Sequence, residues 1–164
     1  MVKRKFLLLG VLFVILCLPA KILAQTTLTG KAVKIVDGDT FDLLVNGNTT
    51  YRIRLLDIDC PERGQDFYKV SKEALGNYLG GLTIKVIYTK KDRHQRILGT
   101  VYNGPVNVNM IMVQEGYAWH FKKYSKDQRF GEVEQSARKA KRGLWSTPQP
   151  IAPWDFRKMP RKRS

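Results

Sequence analysis

Tyr51-Arg52-Ile53-Arg54-Leu55-Leu56-Asp57-Ile58-Asp59-Cys60-Pro61-Glu62 is the stretch on which the reading of this chain turns. Its first five residues alternate apolar and basic, the period-two pattern of a strand with one buried face. Tyr51, Ile53 and Leu55 then face a core, and Arg52 and Arg54 project from the other side. Three carboxylates follow at the strand end, so one rigid element delivers a guanidinium and a cluster of acids to the same place. A second pair of acids stands upstream in Asp37-Gly38-Asp39-Thr40.

Working outward, Thr27 to Val45 is rich in β-branched and apolar residues and is broken at Asp37-Gly38-Asp39, which predicts two paired strands. Asn46-Gly47 supplies the turn into the strand at Tyr51. Leu82 to Tyr88 and Ile97 to Tyr102 read as further strands, joined by the charged segment Lys90 to Arg96, which makes five. Ser71, Ala74, Leu75, Tyr78 and Leu79 recur at helical spacing before Gly80-Gly81, and Val108 to Tyr117 and Glu132 to Arg142 predict two more helices. Short strands with helices between and after them point to an α+β domain on a small five-stranded Greek-key barrel of the oligonucleotide-binding type, with about three helices.

At the front, Lys3, Arg4 and Lys5 precede an apolar run from Phe6 to Leu18, and Ile22-Leu23-Ala24 before Gln25 fits a signal-peptidase site. Residues 1–24 are therefore expected to be a signal peptide, too short in its apolar run for a lasting membrane anchor. The expected organisation is a folded domain over 25–147 and a proline-containing basic tail over 148–164, extended and mobile at its end, with Leu144, Trp145 and Trp154 as anchoring bulk. Export would leave Cys60 as a lone thiol, which is safe in an oxidising compartment only if packed away. The expected destination is the cell exterior or the periplasm, and nothing in the chain demands a partner copy, so a monomer is expected.

Charge narrows the partner. Lys plus Arg number 29 against 14 acids, a formal +15, and removing residues 1–24 still leaves +11. Such a surplus favours an anionic partner. A lipid-surface binder would explain the basic tail but not the acids. Two cysteines exclude a disulfide scaffold and a cysteine-built zinc site.

Acids concentrated in so basic a chain repel one another unless a cation or arginines compensate them. Taken alone, Asp37-Gly38-Asp39-Thr40 is an ordinary turn. Joined by Arg54, Asp59, Glu62 and Arg96, it becomes a set of oxygen ligands for a hard divalent cation, Ca²⁺ or Mg²⁺, beside guanidiniums suited to phosphate.

These pieces, with Asp92-Arg93-His94-Gln95-Arg96, Glu115-Gly116-Tyr117-Ala118 and Gly143-Leu144-Trp145, resemble the thermonuclease (staphylococcal-nuclease-like) family in order and spacing. Pro153-Trp154-Asp155-Phe156-Arg157 also resembles the ending of many bacterial members. The resemblance implies a nuclease of DNA and RNA that leaves 3′-phosphate ends. Ca²⁺ would be held by Asp39, Asp59 and the Cys60 backbone carbonyl, and Arg54, Glu62 and Arg96 would act on the scissile phosphate. Arg93 and Tyr124 are the expected substrate contacts, although a tyrosine there could equally cover core. The alternative is a binding module of the same fold that has lost catalysis, which would not need all five catalytic and metal side chains. Three residues depart from the family pattern. Cys60 replaces a common threonine, but only its carbonyl is needed, while His94 and Lys122 stand where tyrosines are usual and put substrate preference in question.

Overall fold

A computed structural model describes residues 25–160; the expected signal segment and the last four residues lie outside them. Five strands close into a barrel: β1 (Thr26–Asp37), β2 (Thr40–Val45), β3 (Thr49–Leu55), β5 (Thr83–Lys91) and β6 (Ile97–Asn103). Short strands β4 (Ile58–Asp59), β7 (Val106–Asn107) and β8 (Trp119–His120) are added around it. Neighbours run β3-β2-β1-β5-β6, all antiparallel, and a parallel β3–β6 pairing closes the circle. This is the small five-stranded barrel expected from the sequence, with the parallel β3–β6 pairing added by the structure.

Twelve-residue β1 serves both halves of the wall, pairing with β5 through Thr26–Lys31 and with β2 from Lys31 onward. Register shifts between Ala32 and Lys34 and between Ile35 and Asp37 let it bend from one half to the other, as bulges do. Along β3 the alternation is as expected: Ile53 and Leu55 are fully buried with Phe41, Leu43, Ile84, Val86, Ile97 and Val101 in the barrel interior.

Three helices of more than one turn follow: α1 (Tyr68–Leu79), α2 (Val108–Gln114) and α3 (Gln128–Lys139). Two differ from the sequence reading at their ends. Helix α2 stops before Tyr117 because Gly116 takes a left-handed backbone, φ 73°. A Cβ there, or on Gly143, would strike the backbone of the other segment, and Leu144 N–H donates to the Gly116 carbonyl at 2.9 Å. Helix α3 begins four residues early because the Asp127 carboxylate accepts from Arg129 N–H and caps it.

The chain end differs most from expectation. After a 3₁₀ turn at Gly143–Ser146, one helical turn, α4 (Pro153–Phe156), lies against the domain instead of trailing away. Ala152 and Pro153 are buried, and the Trp154 ring stacks on Phe121 with centroids 5.4 Å apart and meets Trp119 edge-on at 5.6 Å. Prolines set the extended approach, as read from the sequence, but the aromatic anchor turns this segment into a strap.

Candidate active site

Strand register decides where the acids go. Thr40 pairs with Arg54 across β2 and β3, and Leu55 N–H donates to the Asp39 carbonyl at 2.8 Å, which sets Asp39 beside the end of β3. The chain then turns at Asp57, whose φ is 68°, into β4, and Asp59 pairs with Trp119 of β8. Gly38 is required where these segments meet. A Cβ on it would lie 2.4 Å from Ser71 Oγ of α1 and 2.9 Å from Cys60 Cβ, so only glycine lets α1 close over the corner. Asn109 of α2 ties the same end of the barrel together, donating to the Leu56 and Gly99 carbonyls and accepting from Val101 N–H.

All eight residues singled out in the sequence line one cavity of about 1130 Å³: Asp39, Arg54, Asp59, Cys60, Glu62, Arg93, Arg96 and Tyr124. At its floor Arg54 is largely covered, and both its terminal nitrogens are engaged. One terminal nitrogen, Nη1, donates to the Leu55 and Ile58 carbonyls at 2.7 and 2.9 Å. The other, Nη2, lies between Asp39 Oδ2 at 2.9 Å and Asp59 Oδ1 at 2.8 Å. Burial opposes the guanidinium charge, but Asp39 and Asp59 outweigh it and raise its pKa. Burial pushes the Asp59 pKa up, opposed chiefly by the hydrogen bond from Arg157. Partial burial, together with the neighbouring Asp39 charge, pushes the Asp37 carboxyl up to about 6. Desolvation likewise raises the Cys60 thiol well above its usual value, so this buried thiol is no nucleophile.

The donor set suits a hard cation. Asp39 and Asp59 bracket a single nitrogen, the Cys60 backbone lies against them with its N–H 3.3 Å from Asp39 Oδ2, and the cavity leaves room for water and phosphate. Among the described residues no cluster of three or more His, Cys, Asp or Glu side chains forms a closed cage. A cation held by two carboxylates and a carbonyl would therefore keep coordination positions open for substrate.

On the wall, Arg96 donates through Nε to Asp92 Oδ2 at 2.7 Å, and both its Nη nitrogens are without hydrogen bonds among the described residues. Burial alone would raise the Asp92 pKa, but the bonds from Arg96 and from the His94 backbone hold it below the ordinary value. Glu62 stands on a turn where its N–H donates to Gln65 Oε1 at 2.9 Å. Tyr124 is two-thirds exposed at the rim and meets Phe121 edge-on, while Arg93 donates to His94 Nε2 at 3.0 Å.

Two participants carried no role in the sequence reading. Asp92, quoted only as part of a motif, orients Arg96. Arg157, at the end of the strap, reaches Asp59 Oδ2 at 2.7 Å and Glu62 Oε1 at 2.5 Å. The Pro-Trp-Asp-Phe-Arg ending was its visible signal, without any indication of where the arginine would land.

Comparison with known proteins agrees with the geometry. Residues 52–147 match the family described as staphylococcal nuclease homologue. An uncharacterized endonuclease of Escherichia coli is 40% identical over 129 residues, 78% of this chain and 84% of that one. An uncharacterized endonuclease of Haemophilus influenzae is 36% identical over 158 residues, covering 96% and 88%, and a micrococcal nuclease of Shigella flexneri is 41% identical over 141 residues, covering 79% and 80%.

Proposed function

The chain belongs to the staphylococcal nuclease homologues and is a phosphodiester-hydrolysing nuclease; from that premise we propose a secreted or periplasmic, Ca²⁺-dependent endonuclease that cuts DNA and RNA without regard to sugar and leaves 3′-phosphate ends. The observation that carries this reading is the gathering of Asp39, Arg54, Asp59, Glu62 and Arg96 around one open cavity. A binding-only module would need the positive charge but has no use for a half-exposed Glu62 carboxylate at the cavity beside an Arg96 whose Nη nitrogens are without hydrogen bonds among the described residues.

Each residue has a physical task. Asp39, Asp59 and the Cys60 carbonyl would hold Ca²⁺, which when bound polarises the phosphodiester. Glu62 takes a proton from the water whose oxygen attacks phosphorus. The bond from phosphorus to the 5′-oxygen breaks in line with that attack, so the phosphate stays on the 3′ side. Arg96, its Nη nitrogens free to bond phosphate oxygens, opposes the charge that develops and favours departure of the 5′-oxygen. Arg54 supplies the second guanidinium, its direction fixed by the two backbone carbonyls on Nη1.

Little in this set reads bases, so sequence preference is expected to be weak. Lys90, Arg93, Lys122 and Lys123 line the same cavity and add sequence-independent attraction that salt weakens. Tyr124 at the rim offers a face for a base to stack on. Purified chain should degrade DNA with Ca²⁺, stop on addition of a chelator, and recover when Ca²⁺ is restored. Equal cutting with and without chelator would overturn the metal assignment, and 5′-phosphate ends in the products would overturn the direction of cleavage.

A further inference from the structure

We propose that Arg157 is a positioning residue of this nuclease, delivered by the C-terminal strap to pin the Glu62 carboxylate beside Asp59. The proposal rests on the reading of Glu62 as the group that takes the proton from water. It concerns a residue that lies 95 positions further along the chain, beyond the segment matched by the family.

Three observations carry it. Glu62 is poorly held by its own surroundings: it sits on an open turn, its side chain is 39% exposed, and among the described residues Arg157 is its one ion-pair partner. Arg157 touches both acids at once. Its Nη1 reaches Glu62 Oε1 at 2.5 Å and Asp59 Oδ1 at 3.4 Å, and its Nη2 reaches Asp59 Oδ2 at 2.7 Å. Two carboxylates that would otherwise push apart are thus drawn to one planar fork, whose geometry a lysine cannot reproduce. Finally, the strap is anchored independently of this contact. Trp154 stacks on Phe121 and meets Trp119, Ala152 and Pro153 are buried, and Gln65 Nε2, from the turn that carries Glu62, donates to the Ile151 carbonyl.

The opposite role, a plug in the cation site, fits the geometry less well. The position bracketed by Asp39 and Asp59 is taken by Arg54 Nη2, whereas the shorter contact of Arg157 is to the other oxygen of Asp59, 2.7 Å against 3.4 Å to Oδ1, and its fork bridges outward to Glu62. A cation entering between the two aspartates meets Arg54 first, and the Arg157 bridge can persist.

The test is a double-mutant cycle on the full chain, assayed on DNA with saturating Ca²⁺, with tryptophan fluorescence and thermal melting to establish that the strap stays docked. Arg157→Gln should lower kcat by roughly tenfold or more while changing KM less than about twofold, the pattern expected when a reacting group is misplaced rather than substrate binding lost. Arg157→Lys should recover part of kcat. In a Glu62→Gln background Arg157→Gln should cost less than about twofold further, since a residue acting through Glu62 has nothing left to act on. An equal loss in both backgrounds, an unchanged kcat, or a kcat that rises would each overturn the proposal, the last by showing a plug. Failure of the Glu62 reading has its own mark: Glu62→Gln would then leave kcat intact. If Arg157→Gln lowers the melting temperature, Arg157→Lys against Glu62→Gln carries the same comparison.

Discussion

The floor and the wall of the cavity are built in opposite ways. On the floor, Asp39 and Asp59 are buried and Arg54 is largely covered; they stand at or beside strand ends, with the terminal nitrogens of Arg54 held by the two carboxylates and by backbone. On the wall, Glu62, Arg96 and Arg157 are exposed to between 29% and 41%, and each is steadied by a single ion-paired neighbourhood. On the proposed mechanism the floor would contribute to folding as well as chemistry, and the wall chiefly to chemistry. A site divided in this way would hold the proposed metal ligands at fixed positions and leave the more exposed Glu62, Arg96 and Arg157 freer to adjust.

The sharpest way to break the comparison is to remove one guanidinium from each part. Arg54→Ala and Arg96→Ala should both lower turnover by at least ~10², the loss expected for a positioned charge stabiliser, and Glu62→Ala should do the same as loss of a general base. Only Arg54→Ala should also unfold the protein more easily. It strands Asp39 beside Asp59, which keeps Arg157 as its partner, and a buried carboxylate that loses its cation costs about 3 kcal/mol or more. Adding Ca²⁺ should restore part of the lost melting temperature in Arg54→Ala, because a cation between the two aspartates replaces the missing charge. Equal melting temperatures for Arg54→Ala and Arg96→Ala would remove the distinction between floor and wall.

A smaller effect probes how the floor is closed. Gly38→Ala places a methyl group 2.4 Å from Ser71 Oγ and 2.9 Å from Cys60 Cβ, so α1 or the Cys60 segment must move. Overpacking of this kind costs about 1–3 kcal/mol. Because Cys60 adjoins Asp59, the same variant should need more Ca²⁺ for half-maximal cutting, whereas Glu62→Ala should leave melting unchanged. Calorimetry and a Ca²⁺ titration of activity separate the two. A Gly38→Ala protein as stable as the parent would show that the corner has slack.

Floor and wall also differed in how far they could be read in advance. The floor was legible because strand periodicity and turn residues act locally: alternation from Tyr51 to Leu55 fixes which way Arg54 points, and the acids follow within a few residues. Gly38 was visible as a turn residue, but not that α1 packs over it, since that contact joins segments 33 residues apart. Asp127 was the available signal for the true start of α3, and it was obscured because Gln128 and Arg129 give no apolar period. The placement of Arg157 was the least legible. Pro148, Pro150 and Pro153 read locally as extended chain, and only the packing of Trp154 on Phe121, a contact with no sequence period, turns that chain back over the cavity.

The smallest expected effect lies behind the floor, where β8 carries Asp59's neighbour strand. His120 is buried, its ring lies 5.8 Å from Phe130 in a stacked arrangement, and neither ring nitrogen has a hydrogen-bond partner among the described residues. Burial lowers its pKa, opposed by Glu134, with Lys122 acting in the same direction as burial and Asp57 and Asp127 against it. A histidine whose folded pKa lies below the unfolded value of about 6.5 favours the fold above that pH, and the contribution is lost as pH falls toward and through the folded value. Melting temperature should therefore drop on going from neutral to mildly acidic buffer more steeply in the parent than in His120→Phe, by a few degrees. This change should leave the Ca²⁺ requirement at neutral pH untouched, because the neutral ring and the phenyl ring pack alike. Parallel melting curves for the two proteins across that pH range would show that His120 takes up no proton on unfolding, and that the strand behind the floor is held by packing alone.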